Sequence, residues 1–140
     1  MTEYMKPLPC PDADTTAYWQ WAKRHELRMQ RCADCGEVRF PPRPMCPACN
    51  SQRDEWTAMS GTATLYSWVV VHPPVLPAFA ADAPYAVALV QLDDDPTLRL
   101  VGTVSDVAAD ELAAGMPLEV WFDDVTEDVT LPRWRRRQPA

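Results

Sequence analysis

Four cysteines in two pairs, Cys32-Ala33-Asp34-Cys35 and Cys46-Pro47-Ala48-Cys49, constrain this chain more than any other feature. Ten residues separate the pairs. Two Cys-x-x-Cys knuckles at short range are the ligand set of a tetrahedral metal site, and thiolates suit zinc(II). The two-residue spacer lets both sulfurs of a knuckle face one ion. Gly36 follows the first pair, where a tight turn favours a residue that tolerates positive φ. The N-terminal third therefore reads as a zinc ribbon holding a structural ion on Cys32, Cys35, Cys46 and Cys49. A closed four-thiolate site leaves no open position for chemistry.

Other uses of the cysteines fit less well. Met1 to Pro9 has no apolar core of the kind a secretory leader needs, which disfavours disulfides. A thioredoxin-like redox site needs one Cys-x-x-Cys at a strand–helix junction, not two knuckles. Iron in a rubredoxin-type site has the same ligand pattern as zinc, so the ion stays open between them. Cys10 is a plain thiol with no assigned role.

The chain has 140 residues, 47% of them apolar, which is enough for a packed core. No apolar run approaches the length that spans a bilayer. The expectation is a soluble cytoplasmic protein that binds no membrane. The net charge of −7 is unevenly spread. Residues 54–132 hold fourteen acidic residues and one basic residue, Arg99, whereas residues 133–140 hold four arginines. Such an acidic body repels phosphate backbones, which argues against a nucleic-acid partner.

Residues 12–26 read as a short helix capped by Asp12 or Thr15. Tyr18, Trp21, Ala22 and His25 share its face, and Trp19 widens it. These aromatics either pack on the chain itself or anchor a partner. Leu27–Arg31 and Glu37–Phe40 are short strands flanking the first knuckle. Pro41, Pro42 and Pro44 stiffen the link to the second.

After Ser60-Gly61 the pattern becomes β. In Thr62–Val71, alternation puts Ala63, Leu65, Val69 and Val71 on one side and Thr62, Thr64, Tyr66 and Trp68 on the other. A proline-rich loop fills 72–84. Tyr85–Leu92 is an almost continuous apolar strand, and the acidic turn at 93–96 leads to a strand over Leu98–Val104. Gly102 marks a bulge or a close approach. Val107–Ala114 reads as a short helix stopped by Gly115 and Pro117. Leu118–Phe122 is a fourth strand and Val129–Leu131 a short fifth. Three strands, a helix and two strands is the order of an OB-fold, a five-stranded Greek-key barrel; an SH3-like barrel is the competing topology. The fold class is thus mainly β. Its expected divisions are an N-terminal helical segment (1–30), a zinc ribbon (31–59), an OB-fold (60–132) and a basic tail (133–140).

Several motifs occur in a telling order: Cys32-Ala33-Asp34-Cys35-Gly36, Phe40-Pro41-Pro42-Arg43, Cys46-Pro47-Ala48-Cys49, Ser60-Gly61-Thr62-Ala63-Thr64, Pro84 through Val90, Gly115-Met116-Pro117-Leu118-Glu119-Val120, and Thr130-Leu131-Pro132. Together they resemble domain-of-unknown-function family 35, a rubredoxin-like zinc ribbon joined to an acyl-CoA-associated OB-fold. The resemblance covers nearly the whole chain. It implies a partner of thiolase fold: a thiolase, a 3-hydroxy-3-methylglutaryl-CoA synthase, a lipid-transfer-protein-like thiolase, or an aldolase that shortens steroid side chains. In that reading the chain is a stand-alone accessory subunit in a 2:2 assembly, and a CoA thioester is the partner's substrate. Some relatives are fused to a MaoC-like hydratase.

The residues themselves suggest no catalytic set. His25 reads as structural, and His72 lies at the lip of the proline loop, where OB-folds hold ligands. Asp93, Asp94 and Asp95 read as a solvated turn. The expected partner- or substrate-facing residues are Trp19, Trp21, Arg43, Trp68, His72, Phe79, Tyr85, Arg133, Trp134 and Arg135. Trp134 amid four arginines reads as an anchor flanked by charge. Two other functions are open: a nucleic-acid-binding ribbon and OB module, and an independent acyl-CoA or lipid carrier.

Overall fold

A computed structural model describes residues 3–73 and 75–139. The one α-helix among the described residues, α1 (Thr16–Lys23), is shorter than the helix expected over 12–26. Asp12 and Thr15 shape its entry by reciprocal bonds. Asp12 Oδ1 accepts from the Thr15 N–H (2.9 Å) and hydroxyl (2.8 Å), and the Asp12 N–H donates to Thr15 Oγ1 (3.0 Å). At the other end His25 takes φ +60°, so it leaves the expected helix face. Its ring instead stacks on Phe122 (5.3 Å) and bonds the Asp124 carboxylate at 3.0 Å.

The ribbon is a three-stranded sheet of β1 (Arg28–Cys32), β2 (Val38–Arg39) and β3 (Asp54–Ala58) in the order β2-β1-β3. β3 has no counterpart among the expected strands. Its residues, Asp-Glu-Trp-Thr-Ala, set two strand formers, Trp56 and Thr57, among residues depleted in strands. They are extended because the second knuckle returns the chain beside β1, in register from Arg28↔Ala58 to Cys32↔Asp54.

The second sheet contains β4 (Thr62–Val71), β5 (Tyr85–Leu92), β6 (Arg99–Gly102), β7 (Pro117–Asp124) and β8 (Thr130–Arg136), ordered β6-β5-β4-β7-β8. The sheet curls until its ends meet. A parallel bridge joins Val104 to Trp134, with Ser105 N–H to the Trp134 carbonyl at 2.8 Å and Trp134 N–H to the Thr103 carbonyl at 3.0 Å. Order and closure together make an OB-fold, as expected. The expected helix at Val107–Ala114 is only a 3₁₀ turn at Ala109–Glu111.

Two further expectations are corrected here. A bulge between Leu65 and Ser67 shifts the alternation of β4 by one. Beyond it Trp68 turns inward and packs on the core, while Val69 is 62% exposed. The supposed basic tail is largely strand: β8 runs to Arg136 and Trp134 is only 1% exposed. Trp134 is therefore a core residue and not a partner anchor. Its burial follows from barrel closure, which places it against Gly102. One core serves both parts of the chain. Leu27 and Met29 of the ribbon side join Leu65, Val90, Leu100, Leu118 and Trp134.

Candidate metal centre and partner-facing surfaces

The two knuckles are built alike. Cys32 N–H donates to the Glu37 carbonyl (2.8 Å) and Gly36 N–H to the Cys32 carbonyl (3.0 Å); Cys46 N–H donates to the Ser51 carbonyl (2.8 Å) and Asn50 N–H to the Cys46 carbonyl (2.9 Å). The residue after each second cysteine is left-handed, Gly36 at φ +80° and Asn50 at φ +63°. Glycine and asparagine are the residues that enter this region most easily. Asp34, in the first knuckle, is tied to Arg53 and Ser51 beyond the second. These bonds hold its carboxyl at about 2, Arg53 having the larger effect.

The four sulfurs lie within 4.8 Å of one another, with Cys32–Cys49 and Cys35–Cys46 each at 3.6 Å. None is in a disulfide. Zinc–sulfur bonds of about 2.3 Å in a tetrahedron place sulfurs about 3.8 Å apart, so the cluster fits one such ion. The Cys35 N–H, 3.5 Å from Cys32 Sγ, brings the Cys32 thiol down to about 6. Cys35 accepts from the Glu37 N–H, which favours its thiolate, yet burial and the neighbouring thiols push it up to about 12. One negative charge suppresses the next, and a bound cation removes that conflict. Cys32 and Cys46 are buried, so an ion here ties the ribbon together from within.

The structure sorts the other expected residues. Phe79, Tyr85 and Arg133 come together in a cleft of about 640 Å³ at one end of the barrel. There Phe79 stacks on Tyr85 at 5.6 Å, Lys6 lies 5.4 Å over Phe79, and Lys6 pairs with Asp82. Arg133 donates to Asp123 (2.7 Å) and Thr103 (3.3 Å), and Trp121 Nε1 donates to Ser105 (3.1 Å). Lys6, Trp121 and Asp123 join this cleft only through tertiary structure, which brings the N-terminal segment and β7 beside the 77–86 segment. Trp19 borders a separate cleft of about 470 Å³ with Lys23 and Asp128. Trp21 is contacted over its ring by Arg28 (4.0 Å) and Arg24 (5.0 Å). His72 is exposed after β4.

Arg43 has an exposed side chain, and its backbone is fixed by Gln30 Oε1 (2.7 Å) and by Arg39 Nη2 (3.1 Å). Arg39 is itself buried, and its Nε and Nη1 find no acceptor among the described residues. Arg135 pairs with Glu119 (3.0 Å) and Arg137 with Asp93 (3.1 Å). With Arg133 on Asp123, the C-terminal arginines offset barrel carboxylates. The charge blocks of the sequence thus interleave in space.

A zinc-ribbon sheet with a four-cysteine cluster, sharing one core with an acidic OB-fold, defines a two-part β-protein. Residues 19–55 match the ChsH2 rubredoxin-like zinc ribbon domain and residues 56–123 match the ChsH2 C-terminal OB-fold domain. The chain belongs to the DUF35 family that these paired domains characterise. It is 36% identical, over 96% of its length, to the probable enoyl-CoA hydratase alpha subunit of Thermomonospora curvata. It is 34% identical, over 90% of its length, to the 3-oxo-4,17-pregnadiene-20-carboxyl-CoA hydratase alpha subunit of Mycobacterium tuberculosis. The chain spans about two fifths of those relatives, 41% and 39%. A DUF35 domain-containing scaffold protein of Methanocaldococcus jannaschii is 34% identical over 79% of this chain and 77% of that protein. Among solved structures, a chain of the Ltp2-ChsH2(DUF35) aldolase superposes with a TM-score of 0.84 at 36% identity, covering 92% of this chain and 98% of that one. No helix among the described residues is long and apolar enough to cross a membrane.

Proposed function

We propose that this chain is an accessory subunit that docks on a thiolase-fold enzyme acting on an acyl-CoA and completes it for thiolysis or retro-aldol cleavage. The observation that carries the reading is the match, over nearly the full length of both chains, to a subunit of an aldolase complex. The M. tuberculosis relative, named for a steroid CoA thioester, favours a substrate with a bulky apolar acyl group. The metal is zinc, and it keeps the ribbon rigid because so small a sheet has little core of its own. We place the assembly in the cytoplasm as a 2:2 heterotetramer, since closed symmetry is the rule for such complexes. The CoA phosphates bind mainly to the partner, because the barrel's arginines are largely committed to its own carboxylates.

The test is to purify the tagged chain from its host and identify what accompanies it by mass spectrometry. The large subunit is then assayed with and without the chain. A stoichiometric thiolase-fold subunit whose activity rises when the chain is added is the expected result. Equal activity without the chain removes the catalytic-support role. A chain that purifies alone and binds acyl-CoA calorimetrically is a carrier instead.

A further inference from the structure

The outer face of β4, β5 and β6 has an unusual composition. In an antiparallel sheet with one face in water, strands alternate apolar and polar. β5 does not: Tyr85-Ala86-Val87-Ala88-Leu89-Val90 is apolar on both faces. Ala88 and Val90 face the core, whereas Val87 and Leu89 point the other way. Of their neighbours on that outer face, Val69 and Val101 are apolar and Ser67 carries only a hydroxyl. Val87 lies beside Val69, and Leu89 lies between Ser67 and Val101. Val101 is 70% and Tyr66 49% exposed. This is a contiguous apolar patch of the kind that marks an interaction surface. It includes the face of strands two and three on which OB-folds bind their ligands.

One charge sits in the patch. Arg99, the only basic residue among 54–132, stacks on Tyr66 at 4.0 Å and makes no ion pair among the described residues. The face carries no carboxylate on its three strands, although the chain bears a net charge of −7. The patch therefore complements an apolar surface bearing a carboxylate. A second copy is a poor match, because a two-fold contact through this face brings Arg99 towards its own counterpart between two acidic bodies. Nucleic acid is also a poor match, since the acidic body around the patch repels phosphates.

β4 adds a second reason for cover. β7 pairs with it only at Thr62–Thr64, and the last bonds on that side join Leu65 to Gly115 and Met116 just before β7. Beyond that point Tyr66–Val71 is held by β5 alone. Its outer end, Val69–Val71 against Tyr85–Val87, is a two-stranded ribbon rich in valine with one open edge, which is marginal in water and prone to pair with other chains.

We infer that the outer β4–β5–β6 face, centred on Tyr66, Val69, Leu89, Arg99 and Val101, is the surface on which the partner enzyme subunit docks, through an apolar patch bearing at least one carboxylate. This rests on the accessory-subunit reading above.

The test expresses three tagged forms of the full chain in its host: wild type, a Val101→Glu/Arg99→Glu double variant, and Lys23→Glu in the separate cleft beside Trp19. Both altered sites are at the surface, and metal content and melting temperature confirm folding. Wild type and Lys23→Glu are expected to retain the thiolase-fold subunit. The double variant is expected to lose it by about tenfold or more, the scale of a hot spot. Hydrogen exchange of the wild-type complex against the free chain should show protection in Tyr66–Val71 and Arg99–Gly102. Equal retention by all three forms overturns the docking face and leaves the accessory role standing. A wild-type chain that brings no enzyme subunit overturns both, whether it sediments as a monomer or as a dimer that Val101→Glu/Arg99→Glu dissociates.

Discussion

Gly102→Ala tests how the barrel is closed. A β-carbon at this position would lie 2.9 Å from Trp134 Cδ1 and 3.2 Å from Trp134 Nε1. Ordinary carbon contacts lie at about 3.5–4.0 Å, so one side must give by roughly 0.5–1 Å. The indole cannot retreat, because Trp134 is fully enclosed and its backbone forms the closing bonds to Thr103 and Ser105. Overpacking of this kind costs about 1–3 kcal/mol. Against it stands a gain of about 0.4–1 kcal/mol, since alanine has fewer unfolded conformations to lose. The clash wins, with a net loss of about 1–2 kcal/mol. For a chain of this size that lowers Tm by about 3–8 °C. The discriminating measurement is a double-mutant cycle with Trp134→Leu, followed by urea unfolding of the zinc-loaded protein. Trp134→Leu alone should cost about 2–4 kcal/mol. In its background Gly102→Ala should become neutral or stabilising, a coupling of about 1 kcal/mol or more. Additive effects, or a Gly102→Ala protein more stable than wild type, would refute the claim that the indole and the glycine share one packed space.

Other outcomes follow from the same geometry. Elemental analysis should give one zinc per chain. Chelation or Cys46→Ser should release it and increase hydrogen exchange across β1 and β3, because ligand binding and ribbon folding are one process. Asp124 accepts from the Thr130 hydroxyl and from His25, in that order of effect, which holds its carboxyl below the ordinary carboxylate value. A lowered folded-state value gives stability that is present above the ordinary pKa and lost as pH falls through the lowered one. Thr130→Val should therefore lower stability at neutral pH and converge with wild type at low pH, so that the acid side of the stability–pH curve flattens. Burial pushes the Tyr18 hydroxyl up to about 12. Stability should then be whole below the ordinary tyrosine value, near 10, and fall as pH rises from there towards about 12. Tyr18→Phe should remove that alkaline loss, and an unchanged alkaline limb in the variant would place the titration elsewhere.

The metal site was legible because its information is local. Two Cys-x-x-Cys spacings and a left-handed residue after each pair fix a knuckle whatever surrounds it. β4 and β5 were legible for a similar reason: ten and eight residues of β-branched and apolar character have few other uses. β3 and the full length of β8 were not. Asp54–Ala58 and Thr130–Arg136 carry charges that read as loop or tail, and they are strands only because distant segments supply their ladders. The phase of β4 escaped for another reason. A bulge inserts one residue, and nothing in Leu65-Tyr66-Ser67 announces it.

What the sequence by itself determined is the ribbon's ligand set, the order of the main strands and the acidic character of the barrel. Tertiary structure alone decided the fate of the side chains whose role depends on closure. Trp134, set among arginines, became the plug of the barrel, and Arg133, Arg135 and Arg137 became counter-ions to its carboxylates. Phe79, Tyr85 and Arg133 met in one cleft only because the proline-rich loop folds back against the barrel end where β5 and β8 carry the other two. The physical reason is range: knuckle chemistry is set within a few residues, whereas burial in a closed sheet is set by segments dozens of residues apart.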